Sequence, residues 1–370
     1  MIVFALGALL HCSTLGKPHQ HLAALPLSEP MSSPFWVPPD MADFVNGRIA
    51  ARDAEQSRAE ALLHALLLPG EQGGMGIEFS NSRTRTINET WAERKANCIS
   101  FTMAYVMLAK QLGINAVFAE SFDVTGWSRT DNLIIREKHM VALVMTIGQG
   151  DLVADFLPRV IPRYGNYFVG IISDGRAKAY YFLNLAVEAI NDGDAARASE
   201  NVLLAIDADP TASQAWNVKG VIEKLQNYNA AAERSFISAI SNNPNDVAAI
   251  SNLASIYEVE GLIDDAARLR ALERRLRRRD PYYFAFLAQE AFQENNFKKA
   301  RRLIRNAINI HPSDADFYIT QSRIFLALNN SKAALAALAR ARSYAAMDWA
   351  LDLETIIEEL RAGLPKNVSR

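Results

Sequence analysis

A period constrains this chain more than any other feature. Pro210, Pro244, Pro281 and Pro312 fall 34, 37 and 31 residues apart. A sequence that repeats at such an interval builds a row of similar units, each leaning on its neighbours, instead of one close-packed globule. Positions inside the units agree. Counting back from Pro244 gives Trp216, Gly220, Ala232, Phe236 and Ala239, and from Pro312 gives Phe284, Ala288, Ala300, Ile304 and Ala307. From Pro210 the same count gives Phe182, Ala186, Gly193, Ala198, Val202 and Ala205. Small residues at fixed places let two antiparallel helices approach closely, so each unit is expected to be a helical hairpin. The unit from Val247 to Asp280 keeps Leu253, Ala254, Tyr257, Gly261 and Ala266 but runs three residues long by its prolines. A fifth unit, from Ala315, keeps Phe325, Ala334, Leu338 and Ala341, and Asp348 to Leu360 reads as a capping helix.

In period and in these positions, residues 179–361 resemble an array of about five tetratricopeptide repeats. Such a stack leaves a concave face, which implies a protein or peptide partner. Arg268, Arg270, Arg274, Arg275, Arg277, Arg278 and Arg279, with Lys298, Lys299, Arg301 and Arg302 nearby, read first as a solvated helix face and second as a patch for an acidic partner.

The chain is 370 residues long, enough for two or three domains or for one domain and an array. A net charge of -2 with 22% charged residues gives no overall push toward nucleic acid. Cys12 and Cys98 are the only cysteines, which excludes a disulfide framework and a cysteine zinc site. Met1 to Leu10 is apolar but shorter than the roughly 20 residues of a membrane span, and it resembles the hydrophobic part of an export signal, although no Lys or Arg precedes it. The expectation is an exported, periplasmic or membrane-tethered protein without a transmembrane span, or a cytoplasmic one if the run is no signal. Cys12 is a candidate for a lipid anchor, with His11 fitting poorly before it. Residues 1–40 are read as this segment and a Pro-rich linker.

Residues 41–175 carry a different pattern. Ala50 to Leu68 has helical spacing and ends at Pro69-Gly70; Thr86-Ile87-Asn88-Glu89 reads as a capping box. Cys98 to Leu112 is an apolar helix stopped by Gly113, and Ala116 to Phe122, Met140 to Ile147 and Leu152 to Leu157 read as strands. A helix followed by several strands predicts an α+β domain with the sheet packed on the cysteine helix.

Cys98 stands in the first turn of its helix, where free backbone N–H groups and the helix dipole favour a thiolate. His139 is the only histidine between His64 and His311 and opens a strand; Asp155 lies on the next strand. A thiol nucleophile needs an imidazole to move its proton and a carboxylate to orient that ring. A tight turn at Gly148-Gln149 would set Asp155 across from Ala142, about 10 Å along the strand from His139 at about 3.3 Å per residue, so a longer loop or a bulge is needed to join them.

Three segments, Asn88 to Thr102, Leu112-Gly113-Ile114-Asn115-Ala116 and Lys138-His139-Met140-Val141, together with Val153-Ala154-Asp155-Phe156, resemble the transglutaminase-like superfamily of papain-type folds over residues 75–175. The resemblance implies Cys98 as nucleophile, His139 as acid and base and Asp155 as orienting carboxylate, with no cofactor and no metal. It also implies an α+β papain-like, transglutaminase-like domain followed by an all-α tetratricopeptide-repeat solenoid, a pairing similar to a group of bacterial exported proteins and lipoproteins. Where the family has Gly before its cysteine, an aromatic after its histidine and Trp before its aspartate, this chain has Ala96, Val141 and Leu152. The expected activity is therefore thiol-dependent acyl transfer, as hydrolysis of a peptide or isopeptide amide ahead of glutamine–lysine crosslinking, with the repeats recruiting the substrate. The alternative is a non-catalytic repeat scaffold with a degenerate front domain.

Overall fold

Proline sets where the first helix begins. The computed structural model describes residues 29–49, 55–121, 127–130, 133–136, 139–146, 151–155, 161–162, 169–344, 354 and 357–358. The apolar amino-terminal run, Cys12 and nearly all of the expected capping helix lie outside these residues. Helix α1 (Pro39–Ile49) has Pro39 as its first residue, a place where proline's fixed φ and missing N–H cost nothing. The expected linker is corrected at its end: Phe35 is fully buried and meets Phe118 edge-on at 6.0 Å between ring centroids. Proline density rules out helix and ladder there, but it does not keep an intervening side chain out of a core.

Helix α2 (Glu55–Leu67) stops before Pro69, and a short parallel pair, β1 (Glu78–Phe79) with β2 (Lys95–Ala96), brackets α3 (Ile87–Glu93). The capping box forms as expected, Thr86 accepting from the Glu89 N–H and Glu89 accepting from the Thr86 N–H. Helix α4 (Cys98–Gln111) is capped by Asn97, whose side chain accepts from the Ser100 N–H at 2.9 Å, and it ends where Gly113 takes φ +67°.

The strands are β3 (Ala116–Ser121), β4 (Trp127–Thr130), β5 (Leu133–Arg136), β6 (His139–Val144), β7 (Leu152–Ala154), β8 (Ile161–Pro162) and β9 (Val169–Ile171). Five of them form an antiparallel sheet in the order β8-β7-β6-β3-β9, while β4 and β5 pair separately. Helix α4 lies on β3 and β6, burying Phe101, Met103 and Val106, and Thr102 donates to the Met140 carbonyl at 3.0 Å. The α+β expectation for this segment is what is observed.

Among the described residues ten helices follow as five hairpins: α5 (Asp174–Asn191) with α6 (Ala195–Ala208), α7 (Ser213–Leu225) with α8 (Asn229–Asn242), α9 (Val247–Val259) with α10 (Ile263–Arg277), α11 (Pro281–Gln293) with α12 (Phe297–Ile310), and α13 (Ala315–Ala327) with α14 (Ser331–Tyr344). The array is a tetratricopeptide-like helical solenoid. Gly220 marks the crossing of α7 and α8, since a Cβ there would stand 2.6 Å from the Phe236 ring.

The repeat is more regular than its prolines suggest. The left-handed residue that closes the first helix of each hairpin is Gly193, Asn227, Gly261, Asn295 and Asn329, always 34 residues apart. The extra three residues expected in the third unit are therefore corrected. Pro210, Pro244 and Pro312 lie in loops before a helix, whereas Pro281 is the first residue of α11, behind an Asp280 cap that accepts from the N–H groups of Tyr282 and Tyr283. The residue in register with the loop prolines is Arg278.

One apolar core runs from the sheet module into the array, joining Phe118 and Met140 to Ala186, Val202 and Ile222. Along the array α6 packs on α7, α8 on α9 and α12 on α13, but no packing of similar extent joins α10 to α11 among the described residues. The core clusters around Phe236 and Leu253 and around Ile304 and Phe317 are accordingly separate. The β4–β5 pair bridges this seam, β5 lying against α9 and β4 against α11.

Candidate functional site

Cys98 is the first residue of α4, half-buried at the edge of the core. Two short strands and the Asn97 cap fix the turn that presents it. His139, opening β6 opposite Ser121, points a ring nitrogen at Asp155: Nε2 lies 2.8 Å from Oδ2, with the two side chains 17% and 5% exposed. The Cys98 sulfur lies near enough to the ring to raise its pKa. The three residues singled out in the sequence thus come together.

The strand offset resolves without a bulge. In the observed register Ala142 faces Ala154, so Asp155 continues opposite Val141, two positions from His139 and on the same face. Diagonal neighbours across antiparallel strands are about 7–8 Å apart, within reach of a carboxylate and an imidazole. The connection between β6 and β7 is longer than the tight turn that would have forced the larger offset.

Burial of the His139 ring favours its neutral form, but the hydrogen bond to Asp155, the nearby Cys98 sulfur and the negative charge of both outweigh it, raising the pKa to about 10. A general base works best with a pKa near the operating pH, and this ring holds its proton far above neutrality. Trp91 of α3 packs on Phe44 at 5.8 Å and carries Arg94 over its face at 3.6 Å, which makes it an anchor between α1 and α3. The Trp127 side chain lies outside the described residues.

A polar network that was not read from the sequence ties the cysteine turn to the array. Asn97 Nδ2 donates to Thr84 Oγ1 at 2.9 Å, and the Thr84 hydroxyl and N–H both donate to Glu188 Oε1 on α5, at 2.7 and 2.6 Å. Lys110 adds an ion pair to Asp174 at 2.9 Å. Its one sequence signal is Asn97, a cap type standing just before a helix; Thr84 and Glu188 are too far apart in the chain for any local pattern to join them.

On the array, the first helices touch one another from hairpin to hairpin, α5 with α7, α7 with α9 and α11 with α13. Between α7 and α9 Asn252 Nδ2 donates to Asn217 Oδ1 at 2.9 Å. The arginine run divides in two. Arg268 pairs with Asp265 at 3.0 Å, Arg270 with Glu258 and Glu273 at 2.9 Å, and Arg277 with Glu273 at 2.6 Å. Arg274, Arg275, Arg278 and Arg279 are exposed and make no such pair among the described residues. Among those residues no group of His, Cys, Asp and Glu is placed to hold a metal ion, and no helix is long and apolar enough to cross a membrane.

No protein-family model matches the sequence, and no curated protein matches it. The solved structures similar to it include YrrB, described as a TPR protein with an unusual peptide-binding site, at 16% identity over 45% of this chain and 86% of that one, with a TM-score of 0.26. PilF of Pseudomonas aeruginosa is 12% identical over 47% of this chain and 80% of that one, with a TM-score of 0.27. A thermophilic TPR protein of Thermus thermophilus is 15% identical over 50% of this chain and 99% of that one, with a TM-score of 0.28. Two of these three are described as TPR proteins. The expectation of a thiol-dependent acyl-transfer enzyme finds no counterpart among these structures and is withdrawn; what the chain shares with them is the tetratricopeptide-like fold.

Proposed function

We propose that this chain is a non-catalytic adaptor whose five-hairpin array holds a peptide or protein segment along a concave face lined by α5, α7, α9, α11 and α13. The observation that carries the reading is the way successive first helices approach one another, with the Asn217 and Asn252 amides meeting between α7 and α9. Close spacing on that side curves the stack toward it, and side-chain amides offer a donor and an acceptor to an extended backbone. The β4–β5 pair, lying against α9 and α11, forms part of the wall of this groove.

In this reading the front module is a degenerate transglutaminase-like domain that serves as a platform for the array. Cys98, His139 and Asp155 keep the arrangement of thiol, imidazole and carboxylate, and their work is to tie α4 to β6 and β7. Ala96, Val141 and Leu152, at positions where the family has Gly, an aromatic and Trp, support this.

Two measurements test it. Peptides selected from a random displayed library on the full chain are expected to lose binding on Asn217→Leu or Asn252→Leu and to keep it on Cys98→Ala; binders indifferent to both asparagine changes overturn the groove. The His139 ring, followed by NMR, is expected to titrate near pH 10 in place of its ordinary 6.5 and to move down in Asp155→Asn. Because the folded pKa is the higher one, the stability this ring contributes is complete below about pH 6.5 and is lost as pH rises toward 10. A midpoint at the ordinary 6.5 in both proteins would show that Asp155 does not hold the ring and contradict its role in tying β6 to β7.

A further inference from the structure

Position-by-position comparison of the hairpins shows where α10 departs from its counterparts. The places held by Ile206, Ile240 and Ile308, each packed at a core cluster, are taken in α10 by Arg274. The loop-proline place is taken by Arg278, so that helical winding continues, the Arg278 N–H bonding to the Arg274 carbonyl at 3.2 Å. Loss of the isoleucine fits the slight packing of α10 on α11, where Arg277 donates to the Tyr283 hydroxyl at 3.1 Å. On the outer side of α10 and the turn after it is a cavity, open to solvent, of about 330 Å³ lined by Ala271, Arg274, Arg275, Arg278 and Arg279.

Those five residues share one helix face by their three-, four- and seven-residue spacings. Cations near a helix C-terminus are favoured by the dipole, which accounts for one or two of them. Four guanidinium groups within about two turns repel one another, and the neighbouring carboxylates Glu258 and Glu273 are already engaged by Arg270 and Arg277. At about 30 Å³ per water, the cavity has room for a few carboxylate side chains.

We propose that this face of α10 is the docking site for a short acidic segment of a partner protein, whose carboxylates pair with Arg274, Arg275, Arg278 and Arg279. This names the partner chemistry for the adaptor reading above and rests on it. The four arginines span about 7.5 Å at 1.5 Å per residue, the reach of two or three extended residues, and they stand in a chain of net charge -2. A nucleic acid calls for a longer basic track, so a peptide fits better.

The test titrates the full chain with a fluorescein-labelled octaglutamate peptide. Saturable binding is expected, weakened roughly tenfold or more when the four arginines are changed to Gln. The pair Arg274→Ile with Arg278→Pro, which restores the residues of neighbouring repeats and so guards against misfolding, is expected to weaken it as well. No binding, or unchanged binding in both variants, overturns the proposal. So does a single-stranded oligonucleotide of equal charge that binds more tightly than octaglutamate. Asn217→Leu is expected to leave octaglutamate binding intact. Failure of the groove reading then shows in the displayed peptides, and failure of the arginine site shows in octaglutamate alone.

Discussion

The second and third hairpins share one backbone plan and are held together by different chemistry. In α7–α8 the inner positions are Gly220, Phe236 and Ala239, all buried, with the phenyl ring seated over the glycine. In α9–α10 the same positions are Ala254, Arg270 and Glu273. Arg270 there bonds Glu258, Glu273, Ser251 and Ser255, and the only buried residues of α10 are Ala266 and Glu273. A 34-residue hairpin can thus close over apolar packing or over a charge network. The second solution leaves less apolar surface for the next unit, and the core of the array is interrupted there.

The largest effects should come from the centre of each hairpin. Phe236→Ala removes a fully buried ring and is expected to lower the unfolding free energy by about 3–5 kcal/mol in denaturant titration. Glu273→Ala removes the carboxylate partner of Arg277 and one of the two carboxylates paired with Arg270, with an expected loss of about 3 kcal/mol. The comparison sharpens if the second hairpin's residues are moved into the third. Arg270→Phe, Glu273→Ala and Arg277→Asn together should be neutral or stabilising by up to about 4 kcal/mol, because a well-packed apolar set replaces the buried ion network. A loss as large as that of Glu273→Ala alone would mean that the charges fix the conformation of the hairpin and that packing cannot stand in for them.

Smaller, and specific to one hairpin, is the glycine. Gly220→Ala puts a methyl 2.6 Å from the Phe236 ring and should cost about 1–3 kcal/mol, read as a shift in the denaturation midpoint. The third hairpin already carries Ala254 at this place, fully buried, because no phenyl opposes it. Combining Gly220→Ala with Phe236→Leu should recover part of the loss. Additive losses in that double variant would show that the ring is not what excludes the methyl.

Local rules made much of this legible. The Thr86–Glu89 capping box, the stop of α4 at Gly113 and the helical hairpins each rest on residues close in sequence, and all stand in the structure. The meeting of Cys98, His139 and Asp155 was also readable, although its strand offset depended on a loop length that sequence does not fix. The phase of the third repeat was misread because proline is favoured both in the loop before a helix and at its first residue, and Pro281 occupies the second place. Arg278 at the loop position was the available signal. Chemistry is least legible, since the protonation of His139 depends on burial and contacts that only the fold supplies.

The smallest expected effect separates the two hairpins at their turns. Asn227 closes α7 with φ +65° and Gly261 closes α9 with φ +77°, so one plan uses two residues for the same left-handed step. Glycine adopts that conformation without steric cost but gives up more backbone freedom on folding, whereas Asn adopts it with a modest penalty that its short polar side chain offsets. These contributions oppose each other, so Gly261→Asn should change stability by no more than about 0.5 kcal/mol, while Gly261→Ala, with a Cβ and no such compensation, should cost about 1 kcal/mol. Equal losses for the two would make the turn a site where any side chain is excluded, against the open space around Gly261, where an added Cβ meets nothing within 4 Å. The difference between Asn and Ala therefore isolates backbone conformation from packing, the one respect in which the second and third hairpins are expected to behave alike.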